Sequence, residues 1–366
     1  MQKNRNFFLG KEISSLRIAV TTRCILRCRY CFVKKNNKVM RYRSAARAIE
    51  LLLESGGRDK MISFYGGEPL LCFDLLKELI ILIRRREREL GKKAAVSVAT
   101  NGILLTDEKI AFFKDSGTKI ALSIDGPKAT HDRARLFING KGSFSVVKER
   151  ACAAIKKLDK ADISALFGVL PQSAKYMHKN LSYLNTLGFD TINIEPVQGL
   201  RYRWGDRERN AFSSQLQFFI KRIYEGISSK KFIFLSSINR QLQGGRLTDP
   251  KRKCPFFNNL EIYPDGEIIF SPLLFNLANN GGYAVGNINS RLSAKFGSCV
   301  YDPHAFDCEH CWERYYKDDN FLARISGIVR LRDEYCLEAA ELISAVAKNN
   351  HLFKNYVAEA KKRVFE

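Results

Sequence analysis

Leu16-Arg-Ile-Ala-Val-Thr-Thr-Arg-Cys24-Ile-Leu-Arg-Cys28-Arg-Tyr-Cys31-Phe32 joins a β-rich run, Leu16–Thr21, directly to a loop whose cysteines are spaced C-x-x-x-C-x-x-C. Three thiolates on one short loop can hold three irons of a [4Fe–4S] cube and leave the fourth iron without a protein ligand. An iron with an open position can bind and reduce a substrate or cofactor, which a fully ligated electron-transfer cluster cannot do. A disulfide framework fails on parity, because three clustered thiols cannot pair among themselves. Zinc would want C-x-x-C pairs and a fourth ligand nearby. A chance grouping of cysteines is the bland alternative.

Outward from this stretch, β-rich runs alternate with helical patterns up to about residue 199. The strands expected are Leu16–Thr21, Met61–Tyr65, Ala95–Thr100, Lys119–Ile124, Ile163–Leu170 and Thr191–Glu195. The helical stretches between them are Arg43–Ser55, Cys72–Leu90, Asp107–Lys114, Phe144–Leu158 and Ala174–Leu187. Such alternation predicts an α/β fold with a parallel sheet wrapped by helices. Chemistry in such folds gathers on loops after the C-terminal strand ends. The cysteine loop follows the first strand, Gly66-Gly67-Glu68-Pro69 the second and Asn101-Gly102 the third, while Ser123-Ile-Asp125-Gly126 closes the fourth, so four motifs would share one rim.

A polar helical stretch from about Gly205 to Ser229 and a lysine-rich segment up to Lys253 lead to a turn-rich region. There Tyr263-Pro-Asp-Gly266 reads as a hairpin turn, and cysteines recur at 254, 299, 308, 311 and 336. The tail from Leu337 reads as one or two helices. No apolar run reaches the length of a membrane span, and the N-terminus lacks a signal peptide's apolar core, so a cytoplasmic protein without a membrane partner is expected. Ten cysteines in that reducing setting read as metal ligands plus a few buried thiols, among them Cys72 and Cys152. Sixty-one Lys and Arg against 38 Asp and Glu give a net charge of +23. The charge is spread along the chain with no nucleic-acid motif beside it. It points weakly to an acidic partner and leaves nucleic acid disfavoured.

Taken singly, the rim motifs have ordinary readings. Gly-Gly-Glu-Pro is a common strand-to-helix turn, and Asn101-Gly102 is usually a turn. Ser123 and Asp125 can serve local backbone hydrogen bonds, His131 and Asp132 suit a surface loop, and an arginine such as Arg135 is solvated by default. Joined to the cysteine loop they make a consistent site: an open-coordinate cluster, a carboxylate for an amino group, hydroxyls for a ribose and an arginine for a carboxylate. Those are the polar ends of S-adenosylmethionine, and Tyr30 can pack against its adenine.

On these residues the chain resembles the radical SAM enzymes, in particular the branch with a C-terminal SPASM or twitch domain that includes anaerobic sulfatase-maturating enzymes and peptide maturases. The marks are Cys24, Cys28 and Cys31; Gly66–Pro69; Thr100-Asn-Gly102; Ser123-Ile-Asp-Gly126; and His131-Asp-Arg-Ala-Arg135 followed by Gly142-Ser-Phe144. The resemblance implies a partial (β/α)₆ barrel with a small α+β SPASM/twitch-like domain. It implies a [4Fe–4S] cluster on the three cysteines, Glu68 within the glycine motif at the methionine amino group, and Ser123 and Arg135 at the ribose and carboxylate ends of the cofactor. Gly66, Gly67, Asn101 and Asp125 complete the expected cofactor contacts.

The C-terminal part matches the family pattern less well. Cys254, Cys308, Cys311 and Cys336 match four of its seven cluster ligands, whereas Ser271, Lys317 and Phe321 stand where others are expected. This set leaves room for one auxiliary iron–sulfur cluster, with zinc or no metal as alternatives. The catalytic Asp of sulfatase-maturating relatives is replaced by Pro272, which disfavours formylglycine formation. The domains expected are a core at 12–200, a helical bridge at 201–253, a degenerate SPASM/twitch-like domain at 254–340 and a C-terminal helix at 341–366. The function expected is radical modification of a peptide or protein side chain, by thioether or carbon–carbon cross-linking, with an electron donor of flavodoxin or ferredoxin type. Modification of a nucleic acid or small metabolite, or a catalytically silent scaffold, are the alternatives.

Overall fold

The structure is a computed structural model, and it describes residues 13–198, 201–242, 259–269, 286–290 and 322–363. The first six strands are β1 (Ser15–Thr21), β2 (Asp59–Gly66), β3 (Lys93–Thr100), β4 (Thr118–Ser123), β5 (Ile163–Val169) and β6 (Thr191–Pro196). They are followed by β7 (Phe234–Leu235), β8 (Asn259–Ile262), β9 (Glu267–Ile269) and β10 (Gly286–Asn287). Among the described residues they form one ten-stranded open sheet in the order β10-β9-β8-β1-β2-β3-β4-β5-β6-β7. Strands β1 to β7 pair parallel with their sequence neighbours, so the C-terminal ends of the first six lie on one rim.

The crossover helices are α1 (Tyr42–Glu54), α2 (Phe73–Leu90), α3 (Asp107–Asp115), the one-turn α4 (Lys128–His131), α5 (Phe144–Lys157) and α6 (Met177–Leu187). Their apolar positions recur at helical spacing and bury against one face of the sheet. In α2, Leu76, Leu79, Ile80 and Ile83 are buried against it, and the helix stops at Gly91, whose φ of 63° supplies the left-handed cap. The matching strand positions are Leu16, Ile18 and Val20 in β1 and Ile62 and Phe64 in β2, all fully buried. Alternate residues point to the opposite face, which carries small side chains such as Ala19, Ser63, Ser97 and Ala99. Ala19 and Ala99 pack there with Tyr65 and Tyr263, and Ser63 and Ser97 share a 2.9 Å hydrogen bond one layer below.

The second half of the described chain extends this body. Helix α7 (Asp206–Ser228) buries Phe212, Leu216, Phe219, Ile223 and Ile227, and α8 (Ser236–Leu242) follows β7. Helices α9 (Leu322–Ala347) and α10 (His351–Lys362) pack on them. Tyr356 of α10 stacks on Phe234 at 4.8 Å and donates to Ile233 O at 3.1 Å. The turn at Tyr263–Gly266 is a hairpin turn, with Gly266 at φ 86° and β8 antiparallel to β9. Strand β8 then pairs parallel to β1, so the hairpin continues the main sheet. Helix α9 begins fifteen residues before the expected tail helix. Cys72 and Cys152, expected to be buried, are only half-buried.

Candidate functional site

The cysteine loop leaves β1 and is tied down at both ends. Thr22 N donates to Lys38 O at 2.9 Å, Arg27 N to Leu136 O at 2.7 Å and Arg29 N to Ala134 O at 2.8 Å. Leu26, fully buried, anchors the middle of the loop, and Cys31 N closes a turn onto Cys28 O at 3.1 Å. Cys24 and Cys28 are half-buried and Cys31 is exposed. Burial pushes the Cys24 thiol up. Burial also raises Cys28 to about 11, against the pull of Arg135 and with help from the neighbouring Cys31 and Cys24. The three sulfurs therefore feel one another electrostatically. Yet no three His, Cys, Asp or Glu side chains among the described residues are gathered closely enough for a single ion. A cluster would take each thiolate on a separate iron and so does not need the three sulfurs gathered round one ion, and Cys24 and Cys28, raised by burial, would be held as thiolates by such a metal.

The loops after β2 and β3 are built onto this one. Gly67 N donates to Thr21 O at 2.6 Å and Glu68 N to Arg23 O at 2.8 Å. A Cβ on Gly67 would lie 2.1 Å from Arg23 O, so only glycine allows this approach. Glu68 is fully buried, and its carboxylate accepts from Thr100 Oγ1 at 2.7 Å, Leu70 N at 3.0 Å and Asn101 N at 2.8 Å. The carboxylate expected to meet a ligand ammonium thus already serves as the pin between two loops. Asn101 spends its side chain on the protein too: Nδ2 donates to Cys24 Sγ at 3.7 Å, and Oδ1 accepts from Ile103 N at 3.0 Å.

Asp125 is the hub on the other side. One carboxylate oxygen accepts from Tyr30 OH at 2.5 Å and from Arg135 Nε at 2.9 Å, and the second accepts from Gly168 N at 3.0 Å. The Arg135 guanidinium lies 5.3 Å from the centre of the Tyr30 ring. Arg135 is 7% exposed, far from the solvated default for an arginine. Burial opposes its charge, but Asp125, Tyr30 and Cys28 more than offset this and hold it protonated. Tyr30 is raised, first by burial and then by Asp125.

His131 is fully buried, not a surface residue. Its Nδ1 accepts from Asp125 N at 3.3 Å, and Nε2 faces Ser143 Oγ at 3.0 Å, which in turn donates to Arg135 O at 2.9 Å. This chain of donors fits a neutral ring with its proton on Nε2. Burial, reinforced by Arg135, lowers the His131 pKa to about 4.

Two expected cofactor contacts keep unspent donors. Ser123 is 8% exposed, and its hydroxyl makes no hydrogen bond among the described residues. Among the described residues Arg135 uses only Nε, leaving both terminal nitrogens for an anionic group beside the cysteine loop. A hydroxyl and a forked cation on the rim fit the ribose and carboxylate of the expected nucleoside cofactor. Gly168 was not singled out from the sequence. A lone glycine inside an apolar strand signals close approach, and here a Cβ would lie 2.8 Å from Tyr30 OH. Cys336 is buried in α9 among the core residues, while Cys254, Cys308, Cys311, Ser271 and Pro272 lie outside the described residues.

The Radical SAM superfamily model matches residues 18–184. Among curated proteins, an uncharacterized protein of Methanocaldococcus jannaschii is 26% identical over 282 residues, covering 76% of this chain and 90% of its own length. A cysteine-type anaerobic sulfatase-maturating enzyme of Clostridium novyi is 29% identical over 197 residues, about half of each chain at 51%. Among solved structures, native anSMEcpe with bound AdoMet and the Cp18Cys peptide has a TM-score of 0.67 at 21% identity, covering 90% of this chain and 99% of that one. That likeness establishes the open-sheet α/β fold.

Proposed function

This chain carries a radical SAM superfamily domain over residues 18–184, and from that premise we propose that the enzyme cleaves S-adenosylmethionine reductively to modify a peptide or protein side chain. A [4Fe–4S] cluster and S-adenosylmethionine are the cofactors of the superfamily, and Cys24, Cys28 and Cys31 are the residues that would hold the cluster. When bound, the pair supplies methionine and a 5′-deoxyadenosyl radical, which takes a hydrogen atom from an unactivated carbon of the substrate. The chain's own part is positional. Glu68 and Asn101 fix the cysteine loop to the loops after β2 and β3, Asp125 fixes Tyr30 and Arg135, and Ser123 and Arg135 offer free donors to the cofactor.

The Asn101–Cys24 contact at 3.7 Å carries this reading, because it binds the thiol loop directly to the rim that holds the open donors. A peptide substrate is supported by the relative solved with one bound, and thioether or carbon–carbon cross-linking fits a chain in which Pro272 stands where sulfatase maturation needs an Asp. We extend the proposal to the expected domain division, to a cytoplasmic location, and to one auxiliary cluster using Cys254, Cys308, Cys311 and Cys336. Among the described residues no helix is long and apolar enough to cross a membrane.

The test is anaerobic reconstitution with iron and sulfide counting, followed by measurement of 5′-deoxyadenosine after addition of S-adenosylmethionine and dithionite. About four irons per chain leave the auxiliary site empty and about eight fill it. Cys24→Ala, Cys28→Ala and Cys31→Ala should each abolish 5′-deoxyadenosine formation. A wild-type protein that takes up no iron, or that leaves the cofactor intact under reduction, overturns the reading.

A further inference from the structure

A cavity of about 760 Å³ lies at the end of the sheet opposite the cysteine loop. Lys160, Asp190 and Ile233, which line it, precede β5, β6 and β7, and the C-terminal ends of α6, α7 and α10 border it. Cavities that take small ligands run to roughly 300–1,000 Å³. Two of its three carboxylates are already spent. Asp190 and Glu359 both pair with Arg363, at 3.4 and 2.6 Å, and Glu359 also pairs with Lys362 at 2.6 Å. Glu225 is then left facing Lys160, Arg222, Lys230 and Lys231. Arg222 donates to Ser182 Oγ at 2.8 Å. Among the described residues no hydrogen bond or ion pair engages the ammonium groups of the three lysines. Burial raises the Asp190 carboxyl against the pull first of Arg363, and Lys160 acts on it through space. Arg363 is 8% exposed, and its buried Nε has no hydrogen bond among the described residues.

Cations beside helix C-termini ordinarily serve the last carbonyls. Here backbone donors take those carbonyls. Ser229 N donates to Glu225 O at 3.0 Å, Lys230 N to Ile227 O at 3.2 Å and Lys231 N to Gly226 O at 2.7 Å. Gly188 N likewise takes Asn185 O at 3.0 Å, and Arg363 N takes Ala360 O at 3.1 Å. The turn after α7 holds Lys230 at a φ of 60°, in the left-handed region that lysine rarely enters. A Cβ on Gly226 would lie 2.5 Å from Lys231 O, so the backbone packs closely under that turn. Two lysines are thus presented by backbone geometry, with their side chains uncommitted. Phe232 follows them on the cavity wall, half-buried, its ring held edge-on by Phe234 and Tyr356 at 6.1 and 5.5 Å.

We infer that this cavity is a binding site for a nucleotide-class ligand, with a phosphate on Lys160, Lys230 and Lys231 and a planar ring against Phe232. A carboxylate is best gripped by the fork of an arginine, and the two arginines here are engaged on Ser182, Asp190 and Glu359. A phosphate carries up to two charges at neutral pH, and lysine ammoniums hold it as point charges. Three uncommitted lysines around one cavity therefore suit the more highly charged anion. The aromatic wall gives the ligand an apolar face to rest on, which phosphate alone does not need. The site stands at the far end of the strands from Ser123 and Arg135, and binding there needs no step of the reaction proposed above.

The experiment titrates AMP by calorimetry into the iron-loaded enzyme, saturated with S-adenosylmethionine and kept without reductant so that the cofactor rim is filled. AMP should bind at least about tenfold more tightly than adenosine, which has the ring without the phosphate. Lys230→Glu/Lys231→Glu should weaken AMP about tenfold and leave the affinity for S-adenosylmethionine within about twofold. Phe232→Leu should weaken AMP about threefold and leave ribose 5-phosphate unchanged. No binding of AMP up to about 5 mM overturns the inference, as does equal affinity for adenosine or in the charge-reversed variant. Ribose 5-phosphate or inorganic phosphate bound as tightly as AMP overturns the nucleotide class. A polyglutamate peptide bound more tightly than AMP overturns it in favour of an acidic segment of a partner protein. If the charge reversal lowers the melting temperature, Lys160→Gln, on a different element, decides by the same criteria. A chain that takes up no iron is titrated as purified, so failure of the proposed reaction and failure of this binding are read separately.

Discussion

Arg135 donates through Nε to Asp125 at 2.9 Å with both side chains nearly sealed from solvent, at 9% and 3% exposure. A buried ion pair is weak as a source of net stability, yet removing one partner strands the other charge. Asp125→Asn should therefore destabilise the fold by about 3–5 kcal/mol, since Arg135 loses its counter-charge and Tyr30 its acceptor. Asp125→Asn/Arg135→Met should recover part of that loss. Urea unfolding of the two single variants and the double variant reads the coupling, and strictly additive losses would refute the pairing.

Ser123 and Arg135 should matter to cofactor binding in different ways. Losing one neutral hydrogen bond costs about 0.5–1.5 kcal/mol, so Ser123→Ala should weaken S-adenosylmethionine binding by roughly two- to tenfold with the fold intact. Arg135→Lys keeps a charge but not the fork that grips Asp125 and a carboxylate together, and it should weaken binding further. Equilibrium binding to the iron-loaded variants checks both, and unchanged affinity in Arg135→Lys would refute its assignment to the cofactor.

His131 gives the fold a pH dependence whose sign follows from its burial. Its folded pKa of about 4 lies below the ordinary 6.5, because burial and Arg135 disfavour the imidazolium, with Asp125, Asp132 and Lys128 as the other charges acting on it. The unfolded chain thus binds the proton more readily. The His131 contribution is complete above about pH 6.5 and is lost as pH falls toward 4, by on the order of 3 kcal/mol at most. Wild type should lose stability between pH 7 and pH 5 relative to His131→Asn, in paired thermal melts. Parallel curves for the two proteins would sink the assignment.

What the sequence disclosed was local. The strand–helix alternation, the cysteine loop and the hairpin at Tyr263–Gly266 depend on periodicity and turn chemistry within a few residues, and all three stand in the structure. Pairing was not legible. Strand β8 joins β1 across some 240 residues of chain, and β7 is two residues long, too short to carry a period. Nor could the sequence tell which polar residues of the rim face a ligand. Glu68, Asn101 and Asp125 stand beside Ser123 and Arg135 among the expected cofactor contacts, and tertiary contacts show the first three engaged by the protein, whereas Arg135 spends only Nε, on Asp125, and the Ser123 hydroxyl has no bond among the described residues. The same burial moved His131 from a surface loop to a buried link between Asp125 and Ser143.

Gly67 offers the sharpest steric test of how the cysteine loop is held. Its missing side chain lets Arg23 O approach, and a Cβ there would meet Arg23 O at 2.1 Å and Arg23 C at 2.7 Å. Both are backbone atoms, so the clash cannot be relieved by a rotamer change. The loop must move, pulling on the bonds from Gly67 N to Thr21 O and from Glu68 N to Arg23 O. Gly67→Ala should cost about 1–3 kcal/mol as an overpacking change and should lower iron uptake by displacing Cys24. Gly91 is the control: nothing lies within 4 Å of its Cβ position, and its left-handed φ of 63° is one that asparagine tolerates. Gly91→Asn should cost less than about 1 kcal/mol and leave iron content unchanged. Equal iron content in Gly67→Ala and Gly91→Asn would show that the approach of the two loops does not set the cysteine geometry.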